Sequence, residues 1–320
     1  MSRRISFYAT ASILLSLILV SGCVIPSQEP FESNTPVGSG LVIESFGSDF
    51  QEVYGGEEVT FRVKFKNTGS VKAEDVFAEL LGLDQLWEPG ENTIVYNGEV
   101  LPDEPECRYT IRKVMLSPPD PEKGIEGGEK ICTWRYIAPQ VKLSIVAEPH
   151  VRLYYTYKTL LSKAITIVPQ KELIDMQNQG VPLPTETVSV TKSPISFDVT
   201  ADTPIRAYGS SVTFPIVIRI NNIGGGTVCG SDGYSCKKPG QEWNHFTLDI
   251  KLPDGWSFET CKNKEEIYLA HGKSQTITCK VRVSTPVTGL RQDIVKVSAR
   301  YGYFIDKTGY VKVLPSIANQ

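Results

Sequence analysis

Two stretches of the sequence alternate between apolar and polar residues. In the first, Val59, Phe61, Val63 and Phe65 alternate with Thr60, Arg62, Lys64 and Lys66. In the second, the apolar positions are Val212, Phe214, Ile216, Ile218 and Ile220. A period of two over this length predicts a β-strand with one buried face. Each strand then reaches an Asn-x-Gly turn, beginning at Asn67 and at Asn222, whose residues tolerate positive φ.

These two stretches belong to a longer internal repeat. Tyr54-Gly55 recurs as Tyr208-Gly209, and Cys132 precedes Pro139 by the same spacing that separates Cys279 from Pro286. Farther along, Tyr155, Tyr157 and Pro169 recur as Tyr301, Tyr303 and Pro315 with identical spacing. A period of about 150 residues indicates a duplicated domain, because the units of solenoid proteins run only ~20–50 residues.

Each copy contains several runs of Val, Ile, Tyr and Phe between Gly, Pro and Asn, without a long helical pattern. This predicts an all-β chain of two tandem antiparallel β-sandwiches of the immunoglobulin or fibronectin type III kind, at 41–169 and 194–315. Between them, the connector 170–193 contains one predicted short helix, Lys171 to Gln179, ended by Gly180. We expect the two sandwiches to fold separately without a tight shared core, with 316–320 as a tail.

The N-terminus has the pattern of an export signal. Arg3-Arg4 precede an uncharged stretch, Ile5 to Val20, that is shorter than the ~20 residues of a spanning helix. It runs into Val20-Ser21-Gly22-Cys23, which resembles the lipobox of prokaryotic lipoproteins. The resemblance implies a signal peptide at 1–22 and a diacylglyceryl or diether lipid on Cys23. The alternative is an uncleaved signal anchor that happens to contain a cysteine.

A lipid on Cys23 would make the membrane a partner and hold the protein on the outer face of the cell membrane. The segment 23–40 is rich in Pro, Ser, Gly, Asn and Glu, which is typical of a solvated tether. The formal net charge of −3 argues against nucleic acid as a partner.

Cysteine usage agrees with an extracytoplasmic compartment. Apart from Cys23, the cysteines are Cys107, Cys132, Cys229, Cys236, Cys261 and Cys279. An even number in an exported chain indicates disulfides. Cys107 and Cys132 are alone in the first copy and are expected to pair. Of the three pairings open to the second copy, we favour Cys229–Cys236 and Cys261–Cys279. No CxxC pair occurs, which argues against a zinc site.

The second copy carries motifs of a known kind: Leu252-Pro253-Asp254-Gly255-Trp256, then Leu269 to Ser274, then Val281 to Pro286. They resemble the immunoglobulin-like domains associated with galactosidases and archaeal S-layer proteins, and CARDB-type cell-adhesion modules. His271 stands where those patterns usually have Pro, and the first copy lacks the L-P-x-G-W motif. The resemblance implies surface display, adhesion or spacing, with no catalytic residues to transfer.

The sequence offers little catalytic chemistry. His150, His245 and His271 are far apart, and no GxSxG, HExxH, P-loop or GxGxxG motif occurs. Acidic runs such as Asp103 to Glu106 lack an EF-hand pattern and are interpreted as solvated loops rather than calcium sites. We therefore expect a non-catalytic protein without a cofactor or metal.

Two long loops, 84–128 and 224–243, each occur in only one copy. Recognition often resides in loops on a rigid sandwich, so Trp87, Trp243 and Tyr234 are candidate ligand-binding residues. The alternative is that a loop tryptophan fastens its loop to the body of the domain. The leading hypothesis is a structural, adhesive or scaffold module whose partner is a surface-layer protein or cell-envelope glycan. The second hypothesis is a lipoprotein that recognises a glycan or peptide through these loops.

Overall fold

A computed structural model describes residues 40–111, 114–209, 211–237 and 242–316 of this protein. The signal peptide 1–22, Cys23 and the remainder of the tether before Gly40 lie outside the described residues, as do residues 317–320 of the tail. Among the residues described, no helix is long and apolar enough to cross a bilayer.

Nearly all of the regular elements in the described chain are strands. The first copy contains β1 (Leu41–Ser48), β2 (Glu52–Tyr54), β3 (Glu58–Asn67), β4 (Glu74–Leu81), β5 (Glu88–Pro89), β6 (Val95–Tyr96), β7 (Glu99–Val100), β8 (Glu129–Ile137), β9 (Ile145–Ala147) and β10 (His150–Pro169). The connector contains α1 (Gln170–Gln179) and β11 (Val188–Val190). The second copy contains β12 (Ile195–Ala201), β13 (Ile205–Ala207), β14 (Val212–Asn222), β15 (Thr227–Cys229), β16 (His245–Lys251), β17 (Trp256–Phe258), β18 (Lys264–Tyr268), β19 (Ser274–Val283), β20 (Arg291–Thr308) and β21 (Val311–Leu314). Short 3₁₀ turns lie at Pro105–Cys107, Pro121–Lys123 and Ser235–Lys237.

The strands form an all-β sandwich architecture, as the alternating patterns predicted. One outer sheet has the order β1-β3-β8-β5, and its counterpart in the second copy has the order β12-β14-β19-β17. Both pack against a sheet of eight strands built around β10 and β20. The predicted helix is present as α1, and Gly180 ends it in the left-handed conformation with φ 67°.

The pairing of β10 with β20 is the centre of the molecule. These antiparallel strands remain in register from His150 opposite Thr308 to Ile167 opposite Arg291. Tyr155 lies opposite Tyr303, and Tyr157 lies opposite Tyr301. The sequence repeat maps Tyr155 to Tyr301 and Tyr157 to Tyr303, so it exchanges these two pairs with each other, and the pairing has a local twofold symmetry. Its midpoint is the pair formed by Thr156 and Gly302.

The two copies exchange their last strands across this midpoint. Strand β21 leaves the second copy and lies between β2 and β9 of the first. In the same way, the end of β10 pairs with β13 and with the start of β20. A single hydrophobic cluster runs from Leu41 in the first copy to Val313 at the exchanged strand. The expectation of two sandwiches without a shared core is therefore wrong, because each copy contributes a strand to the other.

The described residues form three disulfides, and they are the pairs favoured from the sequence. Cys107–Cys132 joins the insertion 84–128 to β8, and Cys261–Cys279 joins the loop after β17 to β19. Cys229–Cys236 closes a small ring after β15. Cys132, Cys229 and Cys279 are fully buried, so these bonds lie within the packed body of the protein.

Candidate functional site

An aromatic row crosses the outward face of the central sheet. It consists of Phe77 on β4, Tyr154 on β10 and Phe304 on β20, which lie opposite one another in the strand register. The rings of Phe77 and Tyr154 stack with centroids 4.7 Å apart, and Tyr154 lies 5.9 Å from Phe304. These side chains are buried in a second hydrophobic cluster, separate from the main core. Other segments of the chain must therefore cover this face of the sheet.

Both long loops supply that cover. Tyr234, in the small disulfide ring, stacks on Phe77 with centroids 5.0 Å apart and ring planes inclined by 17°. Trp243, at the end of the same insertion, lies 5.2 Å from Phe304, and its Nε1 donates to the backbone oxygen of Cys236 at 3.3 Å. From the other insertion, Tyr109 packs 6.2 Å from Phe77. The insertions 84–128 and 224–243 thus meet over the aromatic row.

The disulfide ring rests directly on the midpoint of the two long strands. The backbone N–H of Gly233 donates to Oγ1 of Thr156 at 2.9 Å. A Cβ atom added to Gly302 would lie 2.0 Å from the backbone oxygen of Asp232 and 2.5 Å from that of Cys229. Because glycine has no Cβ atom, it allows two backbones to approach this closely. Gly302 therefore allows the disulfide ring to pack against the sheet.

Lys237 links the two insertions electrostatically. Its Nζ lies 2.9 Å from Oε2 of Glu99 on β7 and 3.3 Å from Oε1 of Glu79 on β4. The same ammonium lies 3.7 Å from the centroid of the Tyr109 ring, a cation–π contact. Burial by itself would lower the pKa of Lys237, but Glu99 and Glu79 outweigh it and the pKa is raised. Lys237 is therefore held in its charged form.

A second cation lies at the other end of the aromatic row. Arg152 donates from Nε and from a terminal nitrogen to the two carboxylate oxygens of Asp306, each at 2.7 Å. Its guanidinium carbon lies 4.2 Å from the Phe304 centroid and 5.8 Å from that of Trp243. The hydrogen bonds to Asp306 raise the pKa of Arg152, which keeps the guanidinium charged. Aromatic rings and an ordered cation are thus side by side at Trp243.

Tyr154 adds a hydrogen bond to this arrangement. Its hydroxyl donates to Oε2 of Glu79 at 2.8 Å, and burial raises the pKa of the phenol. A groove of about 360 Å³ opens nearby between the end of β4 and the hairpin β6–β7, lined in part by Glu79, Glu99 and Val95. The face therefore combines packed aromatic rings, paired charges and an adjacent groove.

The candidate residues identified from the sequence do not all lie at the aromatic row. Trp243 and Tyr234 lie over the aromatic row, whereas Trp87 is only 5% exposed and packs in the main core, 5.9 Å from Phe61. Trp87 thus fastens its loop to the sandwich and also lines the groove of about 360 Å³, whereas Trp243 packs in the other hydrophobic cluster. Trp134 is fully buried, and Trp256 donates to Asp293 at 2.9 Å, so both have structural roles.

Several residues of the site were not identified from the sequence: Phe77, Tyr109, Arg152, Tyr154, Lys237 and Phe304. One signal for them was available in β10, where Arg152 and Tyr154 have the parity opposite to the core residues Leu153 and Tyr155. An aromatic residue at an outward position of a strand indicates a covered outer face. Across the described residues, no group of His, Cys, Asp and Glu has an arrangement suited to a metal ion.

Comparisons with known proteins do not assign a family. No protein-family model matches the chain, and no curated protein sequence matches it. Among solved structures, the chain is similar to the secreted serine protease VesC from Vibrio cholerae, with 8% identity over 86% of this chain and 51% of that one, at a TM-score of 0.22. It is also similar to red sea bream transglutaminase, with 11% identity over 87% of this chain and 31% of that one, at a TM-score of 0.18.

A third solved structure is that of the Enterococcus faecalis MSCRAMM ACE, with 9% identity over 86% of this chain and 95% of that one, at a TM-score of 0.13. The chain spans about half the length of VesC and about a third of the transglutaminase. Similarities at such TM-scores carry no argument about what this protein binds or does.

Proposed function

We propose that this protein is a non-catalytic cell-surface module, anchored by a lipid on Cys23, that contacts another component of the cell envelope. The three disulfides in the described part of the chain indicate an oxidising, extracytoplasmic compartment, where such bonds form and persist. Within that compartment, a rigid two-copy body suits the display of a binding face away from the membrane. The partner we favour is a surface-layer protein or an envelope glycan.

The observation that carries this proposal is the joining of the two insertions over one continuous sheet. The ring 229–236 rests on β10 and β20, and Lys237 then bridges to Glu79 and Glu99. Loops that differ between the two copies are thereby held in one fixed arrangement on a rigid scaffold. Preorganised loops on a β-sandwich are a common basis of recognition, because little conformational entropy is lost on binding.

Site-specific photo-crosslinking on intact cells tests this function. A benzophenone amino acid would replace Tyr96, an exposed residue of the insertion 84–128, and in a matched control it would replace Ile294, an exposed residue of β20. We expect an envelope adduct from position 96 and none from position 294. Digestion of the adduct with protease or glycosidase then distinguishes a protein partner from a glycan. Absence of an adduct at position 96 would contradict a role in envelope contact.

One observation favours the second candidate function, recognition of a soluble glycan or peptide. Trp243 is only partly buried and lies beside the guanidinium of Arg152, which combines an aromatic surface with a hydrogen-bonding cation. Titration of the protein with envelope oligosaccharides or peptides, followed by tryptophan fluorescence, addresses this function. A saturable change that is lost in Trp243→Phe and kept in Trp87→Phe would favour it over adhesion.

A further inference from the structure

The hairpin formed by β6 and β7 has an Asn-Gly pair at its tip. Tyr96 pairs with Glu99 across the hairpin, so Asn97 and Gly98 form a two-residue turn. Both residues of the turn have positive φ, 50° for Asn97 and 82° for Gly98, as the tight turn of an Asn-Gly hairpin requires. This is the one place in the sequence where Asn directly precedes Gly.

The tip of the hairpin is open to solvent. Asn97 and Gly98 are both exposed, and a Cβ atom added to Gly98 would meet no atom of another described segment within 4 Å. β6 and β7 form a separate sheet of two strands, with two residues in each. A hairpin of this size has little stability of its own, so we expect the turn to open locally.

An Asn-Gly turn undergoes a reaction that needs no enzyme. The backbone N–H of Gly98 loses its proton, and the nitrogen forms a bond to Cγ of Asn97. The bond from Cγ to Nδ2 breaks, and Nδ2 takes up a proton and leaves as ammonia. Water then opens the resulting succinimide ring at one of its two carbonyl carbons, which gives aspartate or isoaspartate. Because Gly98 has no Cβ atom, no side chain of its own hinders the approach of its nitrogen to Cγ.

The pair Asp232-Gly233 could form the same ring, but the fold holds its reacting groups apart. Gly233 is buried, and its backbone N–H donates to Oγ1 of Thr156 at 2.9 Å. Oδ1 of Asp232 accepts from the backbone N–H of Ser235 at 2.9 Å and from its hydroxyl at 3.1 Å. The attacking nitrogen and the side-chain carboxylate therefore each have another partner. Exposure of the turn thus distinguishes Asn97 from this second pair.

Asn92 provides a comparison within the same insertion. It is also exposed and also has a positive φ, 59°. The residue that follows it is Thr93, whose branched side chain crowds the backbone nitrogen. The backbone N–H of Thr93 also donates to the backbone oxygen of Gly90 at 3.4 Å. The two asparagines therefore differ chiefly in the residue that supplies the attacking nitrogen.

A change at Asn97 would act on the contacts that fasten the hairpin. Nζ of Lys237 donates to Glu99 at 2.9 Å, and the ring of Tyr96 lies 6.0 Å from that of Tyr109. A carboxylate at position 97 adds a negative charge to the hairpin close in sequence to Glu99. Isoaspartate also adds a CH₂ group to the main chain, which lengthens the turn that fixes the register of β6 and β7.

We propose that Asn97 is a site of spontaneous chemical modification, at which the folded protein gradually acquires aspartate and isoaspartate, and that isoaspartate loosens the hairpin β6–β7. The surface presented by the insertion 84–128 therefore differs between newly made and aged molecules. This inference stands on the chemistry and exposure of the turn and does not depend on the proposed function.

Peptide mapping of the folded protein tests the proposal. The purified protein is incubated in mildly alkaline buffer, and mass spectrometry follows the conversion of amide to carboxylate at Asn97 and at Asn92. Chromatography separates the peptides that contain aspartate from those that contain isoaspartate. Asn97→Gln is the matched variant, because its longer side chain would have to close a larger and less favourable ring.

We expect Asn97 to convert about tenfold faster than Asn92 or more, since a factor of ten corresponds to only a small difference in activation free energy. Asn97→Gln should remain unconverted at position 97. Equal rates at Asn97 and Asn92, or no conversion at Asn97, would overturn the modification site.

Hydrogen exchange tests the effect on the hairpin. Protein that contains isoaspartate, separated by its charge and verified by peptide mapping, is compared with unmodified protein and with Asn97→Gln. We expect faster amide exchange in residues 94–101 of the modified protein and unchanged exchange in β14, which lies in the second copy. Unchanged exchange in residues 94–101 would overturn the loosening of the hairpin.

Discussion

The hydroxyl of Tyr303 donates a hydrogen bond of 2.6 Å to Oδ1 of Asn222, and so joins the Tyr-x-Tyr strand to the Asn-x-Gly turn within the second copy. The same oxygen of Tyr303 accepts from the backbone N–H of Gly226 at 2.9 Å. In the first copy, Tyr157 and Asn67 form the corresponding contact at 3.5 Å. Two motifs that repeat in the sequence are therefore partners in the structure.

We expect Tyr303→Phe to destabilise the protein by about 1–3 kcal/mol, because it leaves buried polar groups of the Asn-x-Gly turn without their partner. Tyr268→Phe is the matched control, since Tyr268 is an exposed strand residue. Chemical denaturation monitored by circular dichroism measures both. Equal stability of the two variants would show that the contact has no energetic role.

Buried phenols should make the fold sensitive to alkali. Burial raises the pKa of Tyr157 to about 12 and that of Tyr136 to about 12, from an ordinary value of 10.0. A phenol with a higher pKa in the folded state binds its proton more tightly there, so the unfolded state loses protons first as the pH rises. The stabilisation is complete below pH 10 and is lost as the pH rises from 10 toward 12.

The melting temperature should therefore fall steeply above about pH 10. Thermal unfolding measured from about pH 8 to about pH 12 tests this expectation. In Tyr136→Phe the fall should be shallower, because one of the responsible phenols is gone. An exposed control, Tyr208→Phe, should keep the original profile. A profile that is identical in Tyr136→Phe and in the unsubstituted protein would contradict the assignment.

Gly302→Ala should be strongly disruptive, because the added methyl group collides with the backbone of the disulfide ring. We expect a loss of about 2–3 kcal/mol and a displaced ring. Gly47→Ala provides the comparison, because a Cβ at Gly47 meets no atom within 4 Å. Denaturation gives the energy, and the fluorescence of Trp243 reports the position of the ring. A Gly302→Ala protein with unchanged stability would contradict the packing described for the ring.

Lys237→Met should loosen both insertions together, because it leaves Glu79 and Glu99 close to each other without a cation. We expect a loss of about 1–2 kcal/mol and faster amide hydrogen exchange in both loops. Lys123→Met removes an exposed pair with Asp120 and should cost less than about 1 kcal/mol. Faster exchange confined to one insertion would show that Lys237 does not couple them.

Cys23→Ser tests the lipid anchor inferred from Val20 to Cys23. Without the thiol, the lipid has no attachment point, so the protein should be released from the membrane or accumulate as the unprocessed precursor. Cell fractionation and intact mass measure this outcome, with a serine substitution at Val24 as the control. An exported protein that retains Met1 and carries no lipid would contradict the anchor.

Sequence patterns were sufficient to predict the local features of the fold. Alternation predicted β3 and β14 because one face of each strand is buried, and Gly180 marked the end of α1 because glycine accepts the left-handed conformation. The disulfide pairs followed from the repeat and from even cysteine counts. These features depend on residues close together in sequence or on equivalent positions of the two copies.

The exchange of last strands could not be predicted in the same way. Residues Ile165 and Ile167 alternate correctly for a strand whichever copy they join, so periodicity does not decide between the two. β10 is 20 residues long, about twice the upper end of the usual range of strand lengths. This length was the available signal that the strand continues into the other copy. The meeting of the two insertions likewise depends on long-range register, which places Phe77, Tyr154 and Phe304 side by side.

The exchanged strand also determines how the molecule would carry a mechanical load. β21 runs parallel to β2 and antiparallel to β9, with hydrogen bonds to each. A pull along β21 from the end beyond Leu314 acts along these strands, so it strains the hydrogen bonds on both sides at once instead of opening them one after another. Tension applied there therefore passes into the first copy, and through β10 and β20 into the second.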